Sequence, residues 1–219
     1  MLKGLFHIHT KYSFDSIMSP EAVVKYAVKK GYSILAITDH NTIRGSLEAR
    51  SYVERHYSGV EAIIGAEYST EKGDIIGLLL KEEIKIGSAE EVIGHIRAQG
   101  GLSVLPHPYK GHRLDTELIE DCDIVEVYNS RADELQNRKA LEMAHKYTKP
   151  ALVGSDAHFH NELGLATVTF TSTSSVLSDT LLSGERYFDV APSRRYFILS
   201  SQLIKSYKTR MQVQRIRPS

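Results

Sequence analysis

The sequence predicts an α/β domain in which strands and helices alternate around a closed or nearly closed barrel. Short apolar runs alternate with amphipathic runs six or more times, the pattern of a mostly parallel sheet covered by helices. Residues with metal-ligand chemistry recur just after the apolar runs, at His7-Ile8-His9, Asp15, Asp39-His40, Glu67, His107 and Asp156-Ala157-His158. In a barrel all strand C-termini open onto one face, so ligands from opposite ends of the chain can serve one site. An open doubly wound sheet is the alternative arrangement of the same elements.

Gly4 to His9 reads as the first strand. Ser19-Pro20-Glu21 then opens a helix reaching Lys30, with Ser as N-cap, Pro at the first helical position and Gly31 as stop. Ser33 to Thr38 is an apolar strand ending at Asp39-His40, and Arg44 to His56 has helical composition. Val60–Ser69 and Asp74–Lys81 read as two strands around the turn Glu71-Lys72-Gly73, a hairpin that interrupts the alternation. Ser88 to Gln99 returns to helix, Leu102–Leu105 is a strand leading into Pro106-His107-Pro108, Asp123–Tyr128 is another, and Ala132–Lys146 is a long helix. Ala151–Gly154 leads into Ser155-Asp156-Ala157-His158. Residues 1–191 are expected to form the barrel domain and residues 192–219 a basic C-terminal helix or tail.

At 219 residues and 42% hydrophobic content the chain can bury one sizeable core. Zero formal net charge argues against a chain that mainly coats nucleic acid or an anionic membrane. The charge is uneven, however. Arg194, Arg195, Lys205, Lys208, Arg210, Arg215 and Arg217 follow Pro192, and no Asp or Glu does. Cys122 is the only cysteine, which excludes an intrachain disulfide and thiolate-rich zinc sites, so metal ligands must be His, Asp and Glu. With no signal-like segment and no apolar run of roughly 18 residues, a cytoplasmic location without membrane attachment is expected.

Residues two apart in a strand face the same side, so His7 and His9 can converge on one ion, as can Asp156 and His158. Asp39 and His40 are adjacent and cannot both face inward. His40 is assigned as ligand, and Asp39 as a catalytic-group residue that orients His40 or caps the backbone. Glu67 follows an apolar run and would be a costly buried carboxylate unless paired or bound to metal. His56, His95 and His145 lie in helical stretches and read as surface or interhelical residues, while His160 is a weaker contact candidate.

These motifs resemble the PHP domain family, named for polymerase and histidinol phosphatase. The resemblance rests on His7-Ile8-His9-Thr10 with Tyr12, Ser13 and Asp15, on Thr38-Asp39-His40-Asn41, Gly65-Ala66-Glu67, Pro106-His107-Pro108, and Gly154-Ser155-Asp156-Ala157-His158, over residues 3–170. It implies a distorted (β/α)7 TIM-like barrel with two or three divalent ions, Zn2+, Mn2+ or Fe2+. By motif, His7, His9, Glu67 and Asp156 would hold one ion, Asp15, His40 and His158 a second, and Glu67 with His107 a third. Many members carry a further His in the strand after the bridging glutamate, whereas Asp74-Ile75-Ile76-Gly77-Leu78 has none, so two ions are expected to be firmly held. Asp15 stands where a His is frequent and makes its site harder, which admits manganese or iron beside zinc.

The implied activity is hydrolysis of a phosphate ester of a small metabolite or nucleotide through a metal-bound hydroxide. Arg131, just after a buried-looking strand, is assigned to orient the phosphate, because a planar fork suits two phosphate oxygens. Arg44, Lys110, His112 and Arg113 are further cations near strand ends, Glu126 is a carboxylate that can face the site, and His107 is a general acid should the third ion be absent. Other readings stay open. They are a 5′–3′ exonuclease holding nucleic acid through the basic C-terminal tail, a non-catalytic metal-binding module, and an amidohydrolase.

Overall fold

The computed structural model describes residues 1–219 apart from 115, 172, 173 and 217–219, with side chains described as far as Arg210. The first strands, β1 (Leu2–Leu5) and β2 (Ile34–Ile37), are short, and β2 is buried along its whole length. Ile34 and Ala36 enter the larger core with Ile63, Tyr68 and Ile75. Leu35 and Ile37 instead pack with Val23, Val24 and Ala27 of helix α1 (Pro20–Lys29) and with Ala49 and Val53 of α2 (Arg44–His56). Both faces of β2 are therefore apolar, which is why its sequence does not alternate. Ser19 caps α1 by accepting from the Ala22 amide (3.2 Å), with Pro20 in the first turn.

Strand β3 (Glu61–Thr70) turns directly into the antiparallel β4 (Gly73–Leu78), with Thr70 opposite Gly73. After α3 (Ala89–Ala98), closed by a Ser88–Glu91 capping box, β5 (Leu102–Leu105) pairs antiparallel with β4. The chain continues through α4 (Thr116–Asp121), β6 (Ile124–Asn129), α5 (Glu134–Lys146) and β7 (Ala151–Gly154), with β5, β6 and β7 parallel. Then come β8 (Ala166–Phe170), α6 (Leu177–Ser183), β9 (Arg186–Val190) and α7 (Arg195–Ile216). The sheet order is β7-β6-β5-β4-β3-β2-β1-β8-β9.

Beyond Leu5 and Gly154 the chain ends of β1 and β7 meet. The Ser155 amide donates to Phe6 O and the Ala157 amide to His7 O (3.3 Å each), and the His9 amide donates to Ala157 O (2.9 Å). Ile8 and Ala157 form a parallel bridge. This seam makes β1–β7 a nearly closed, distorted barrel. Lower on the same strand, Leu2–Gly4 pairs antiparallel with β8, so β1 divides one edge between two partners.

The structure differs from the sequence expectation in several places. The first strand stops at Leu5 because the backbone kinks at His7, whose φ is +56°. The helix expected from Ala132 begins at Glu134, since Asp133 and Gln136 form a capping box. Strands β8 and β9 and the short helices α4 and α6 go beyond the sequence expectation, although β8 alternates strictly, with Ala166, Val168 and Phe170 buried. Among the described residues, no helix is long and apolar enough to cross a membrane.

The region 192–219 contains α7, and α7 is docked on the barrel. Of its basic residues, the Arg215 side chain and Arg217 lie outside the described residues. Arg131 is buried, and its Nε and Nη2 donate to the two oxygens of buried Glu162 (2.8 and 3.0 Å). Its Nη1 donates to Ser201 Oγ (3.0 Å) and its Nη2 also to Phe197 O (3.3 Å), which fixes α7. Removing one partner of such a buried pair leaves the other charge uncompensated. Arg131→Ala is therefore expected to lower the unfolding free energy by roughly 3–5 kcal/mol in denaturant titrations, whereas a loss below about 1 kcal/mol would show that the pair does not hold the helix.

Candidate metal centre

Three of the candidate ligands occupy the left-handed backbone region: His7 (φ +56°), His107 (φ +29°) and Asp156 (φ +49°). Each such conformation costs on the order of 1–3 kcal/mol for a residue with a side chain. All three lie where a strand has just ended. His7 and His9 thus converge through a kink in the backbone, which replaces the strand alternation expected from sequence.

Glu67 lies at the centre. Its Oε1 is 3.1 Å from His107 Nε2 and 3.5 Å from His7 Nε2, and its Oε2 is 3.1 Å from His40 Nδ1 and 3.3 Å from His9 Nε2. Asp156 Oδ1 lies 3.3 Å from His9 Nε2 and 3.6 Å from His7 Nε2. Asp15 Oδ2 lies 3.1 Å from His158 Nε2 and 3.4 Å from His40 Nε2. The side chains fall into three groups whose ligand atoms lie within 4.8 Å of one another: His9, Asp15, His40 and His158; His7, His9 and Asp156; and His7, Glu67 and His107. His9 joins the Asp15 group and His7 joins the His107 group, two memberships that motif matching did not provide.

Three of the imidazoles, those of His7, His9 and His158, are held by their far nitrogens. His7 Nδ1 donates to Glu126 Oε1 (2.8 Å), while Glu126 Oε2 accepts from the His107 amide (2.8 Å) and from Asn129 Nδ2 (2.9 Å). A side chain at Gly154 would collide with this pair, because its Cβ would lie 1.9 Å from Glu126 Oε1 and 2.6 Å from His7 Cβ. His9 Nδ1 donates to Ser13 Oγ (3.0 Å), which in turn donates to Asp39 Oδ1 (2.7 Å). His158 Nδ1 donates to Asp156 O (2.8 Å). In each case Nε2 is left to face the centre.

Asp39 does not face the ligands. It accepts from the Thr10 amide and hydroxyl (2.6 Å each) and from Ser13, so it braces the loop that carries Asp15, and its catalytic assignment is replaced by a positioning one. Burial pushes its pKa up, and the bonds from Thr10 and Ser13 oppose that shift. Arg131 is likewise not free to orient a phosphate, since its donors are occupied by Glu162, Ser201 and Phe197. Lys110 lines the cleft with Nζ 3.2 Å from Asp156 Oδ2, while Arg44 lies over the Tyr12 ring and His112 bonds to Asp74 O. His160 is exposed on a 3-10 turn.

The ligands open into a cleft of about 460 Å³ that is also lined by Phe14, Ser69, Asp74, Ser201, Gln202 and Lys205. Of these, sequence reasoning singled out only Lys205, as one of the basic residues of the C-terminal tail. Asp74 was accessible to it, because an antiparallel β4 must begin at the rim where its parallel neighbours end. Glu162 was also missed. It accepts from the His158 amide (2.9 Å) and links that loop to Arg131.

Burial disfavours the charged form of every group here, and the neighbours then decide the outcome. For His7, the carboxylates of Glu126, Asp156 and Glu67 outweigh burial and raise its pKa well above the ordinary value. For His40, Glu67 and Asp15 do the same and raise it to about 9. His9 goes the other way, to about 3, through burial and the nearby His158 and His40. Glu67 and Asp156 are held well below the usual carboxylate range despite their burial, Glu67 chiefly by His7 and His40 and Asp156 chiefly by Lys110 and His7.

The donor set fits divalent ions. His7 Nε2, His9 Nε2, His40 Nδ1, Glu67 Oε2 and Asp15 Oδ1 are buried with no hydrogen-bond partner. Each such atom costs about 1–3 kcal/mol unless something compensates it, and imidazole nitrogens and carboxylate oxygens converging together are compensated by cations.

The PHP domain model matches residues 6–189. The chain belongs to the PHP domain family. An uncharacterised protein of Methanocaldococcus jannaschii is 44% identical to this PHP protein over 155 residues, covering 64% of this chain and 90% of the relative. A second uncharacterised protein of that organism is 34% identical over 182 residues, covering 78% of this chain and 71% of the relative. Among solved structures, a two-domain protein of Bacteroides vulgatus, described as containing a predicted PHP-like metal-dependent phosphoesterase, superposes with a TM-score of 0.69 at 18% identity. That match covers 92% of this chain and 69% of the other and establishes the PHP-type barrel fold.

Two outcomes follow for the PHP centre. Below about pH 9 the metal-free site holds a proton on His40, and His7, whose pKa is also raised, favours its protonated form as well, so an incoming ion must displace protons and metal affinity should rise with pH up to about 9. The slope should be about tenfold per pH unit for each proton displaced, and an affinity that stays flat in Mn2+ calorimetry between about pH 6 and 8 would contradict it. Glu126→Gln should weaken metal binding roughly 10- to 100-fold by loosening His7 while the far-ultraviolet circular dichroism is unchanged.

Proposed function

We propose that this PHP protein is a metal-dependent hydrolase that cleaves a phosphate ester of a small metabolite or nucleotide. The observation that carries the reading is the convergence of buried, partnerless nitrogen and oxygen atoms around Glu67, at the floor of a cleft large enough for a small ligand. Divalent ions held there supply water activated near neutral pH and positive charge against the phosphoryl oxygens. With imidazole and carboxylate donors and no thiolate, the set suits Mn2+, Fe2+ or Zn2+.

The chain supplies position. Glu67 stands between His7 and His107 on one side and His9 and His40 on the other, so it would help to hold metal with both sets of imidazoles. Glu126 and the Ser13–Asp39 pair fix the rings of His7 and His9. His107 turns Nε2 inward to Glu67, which favours a ligand role over that of general acid. Lys110 sets a positive charge on the cleft wall beside Asp156.

The test is phosphate or nucleotide release by manganese-loaded protein from an aryl phosphate, nucleoside monophosphates and 5′-phosphorylated oligonucleotides, beside the His7→Ala/His9→Ala double variant. Turnover of at least one of them, abolished in the double variant, is the expected result. Full metal occupancy without turnover of any phosphoester would instead leave a binding module.

A further inference from the structure

One wall of the cleft belongs to α7, and ligand positioning does not account for it. Ile198, Ser201, Gln202 and Lys205 recur at the spacing of one helix face and line the cleft with the ligands. The helix is anchored at both ends of this stretch. At one end Arg131 holds Ser201 and the Phe197 carbonyl, and the Phe197 ring stacks on Phe159 at 5.4 Å. At the other, Lys208 Nζ donates to the carbonyls of Lys11 (3.2 Å), Ser13 (2.7 Å) and Ser16 (2.6 Å).

Between the anchors, Lys205 Nζ sits 4.5 Å from the centre of the Phe14 ring, and Phe14 stacks in parallel on the ligand His40 at 4.4 Å. The other cations on the cleft wall are engaged. Arg131 is bound to Glu162, and Lys110 lies 3.2 Å from Asp156. Lys205 has no carboxylate partner among the described residues, and it is exposed at the mouth.

We infer that this face of α7 is the substrate-recognition wall and that Lys205 receives the terminal phosphate of a small phosphomonoester. The inference rests on the phosphoesterase reading. A monoester phosphate carries close to two negative charges at neutral pH, so it gains more from an unpaired ammonium than a singly charged diester does. A helix fastened at both ends of its cleft-facing stretch also walls one side of the cleft against a continuing polymer strand, and about 460 Å³ is the size of a small-molecule pocket.

The experiment compares wild type, Lys205→Ala and Lys205→Arg, each manganese-loaded with metal content verified. It measures inorganic phosphate binding by calorimetry and hydrolysis of an aryl phosphomonoester, a bis-aryl phosphodiester, a nucleoside monophosphate and a 5′-phosphorylated oligonucleotide. Lys205→Ala should weaken phosphate binding and raise the monoester KM at least about tenfold with kcat changed less than about twofold, the diester should respond less, and Lys205→Arg should recover most of the loss. The mononucleotide should be a better substrate than the oligonucleotide. Unchanged phosphate affinity and KM in Lys205→Ala would overturn the assignment of Lys205. An oligonucleotide cleaved as well as the mononucleotide would overturn the limit to small substrates. Absence of all turnover in wild type would remove the phosphoesterase reading itself, and the calorimetry would still decide whether Lys205 binds phosphate.

Discussion

The few main-chain hydrogen bonds between Phe6–His9 and Ser155–Ala157 are the constraint on which the rest of the structure depends. They join the first and last strands of the barrel at the rim alone, since lower down the same edge of β1 is given to β8. Two histidines from the start of the chain and an aspartate from its later part become neighbours through that seam. Their spacing is thereby set by backbone geometry, which varies far less than side-chain rotamers do. The left-handed conformations at His7 and Asp156, on the two sides of the seam, are the local cost of closing the sheet there.

A second constraint is buried charge. Asp15, Glu67, Asp156, Glu126 and Asp39 crowd a small volume, and carboxylates in such surroundings are costly unless compensated. The compensation is divided. Asp39 is satisfied by hydroxyls and an amide, and Glu126 by an amide, an imidazole and Asn129. Of the three that face the centre, Asp15 and Glu67 lean on histidines and Asp156 on Lys110 and His7, and two of the histidines, His7 and His40, take up protons when no cation is present. The same electrostatics that hold the metal-free protein together therefore make protons the competitors of metal ions.

Much of this was legible in the sequence, for identifiable reasons. Ser19-Pro20 and Ser88-x-x-Glu91 mark helix starts through local hydrogen bonding, and apolar runs such as Ile34–Ile37 mark buried strands, so these elements follow from near neighbours alone. The cluster of His, Asp and Glu side chains was legible because metal chemistry restricts which residue types can serve. What was not legible depends on distant partners. Nothing near Arg131 in sequence indicates that Glu162 and Ser201 will occupy its guanidinium, and Lys205 gives no local sign that its helix will lie beside His40. The kink at His7 was hidden for the same reason, because it exists to satisfy a pairing with residues at the far end of the barrel.

The Lys208 clamp has a consequence for how such a protein can change. One ammonium gathers three carbonyls from the loop that also carries Asp15, so the last helix is fastened to the metal-binding loop through main-chain oxygens. A carbonyl is present whatever the side chain, and exchange of the exposed Lys11 would therefore leave the hold on α7 in place. On the helix, the positions facing the cleft are separate from the lysine that fastens it. Ser201 takes part in both the wall and an anchor, whereas Ile198, Gln202 and Lys205 line the cleft outside either anchor, so exchanges at these three would reshape the cleft without loosening the helix.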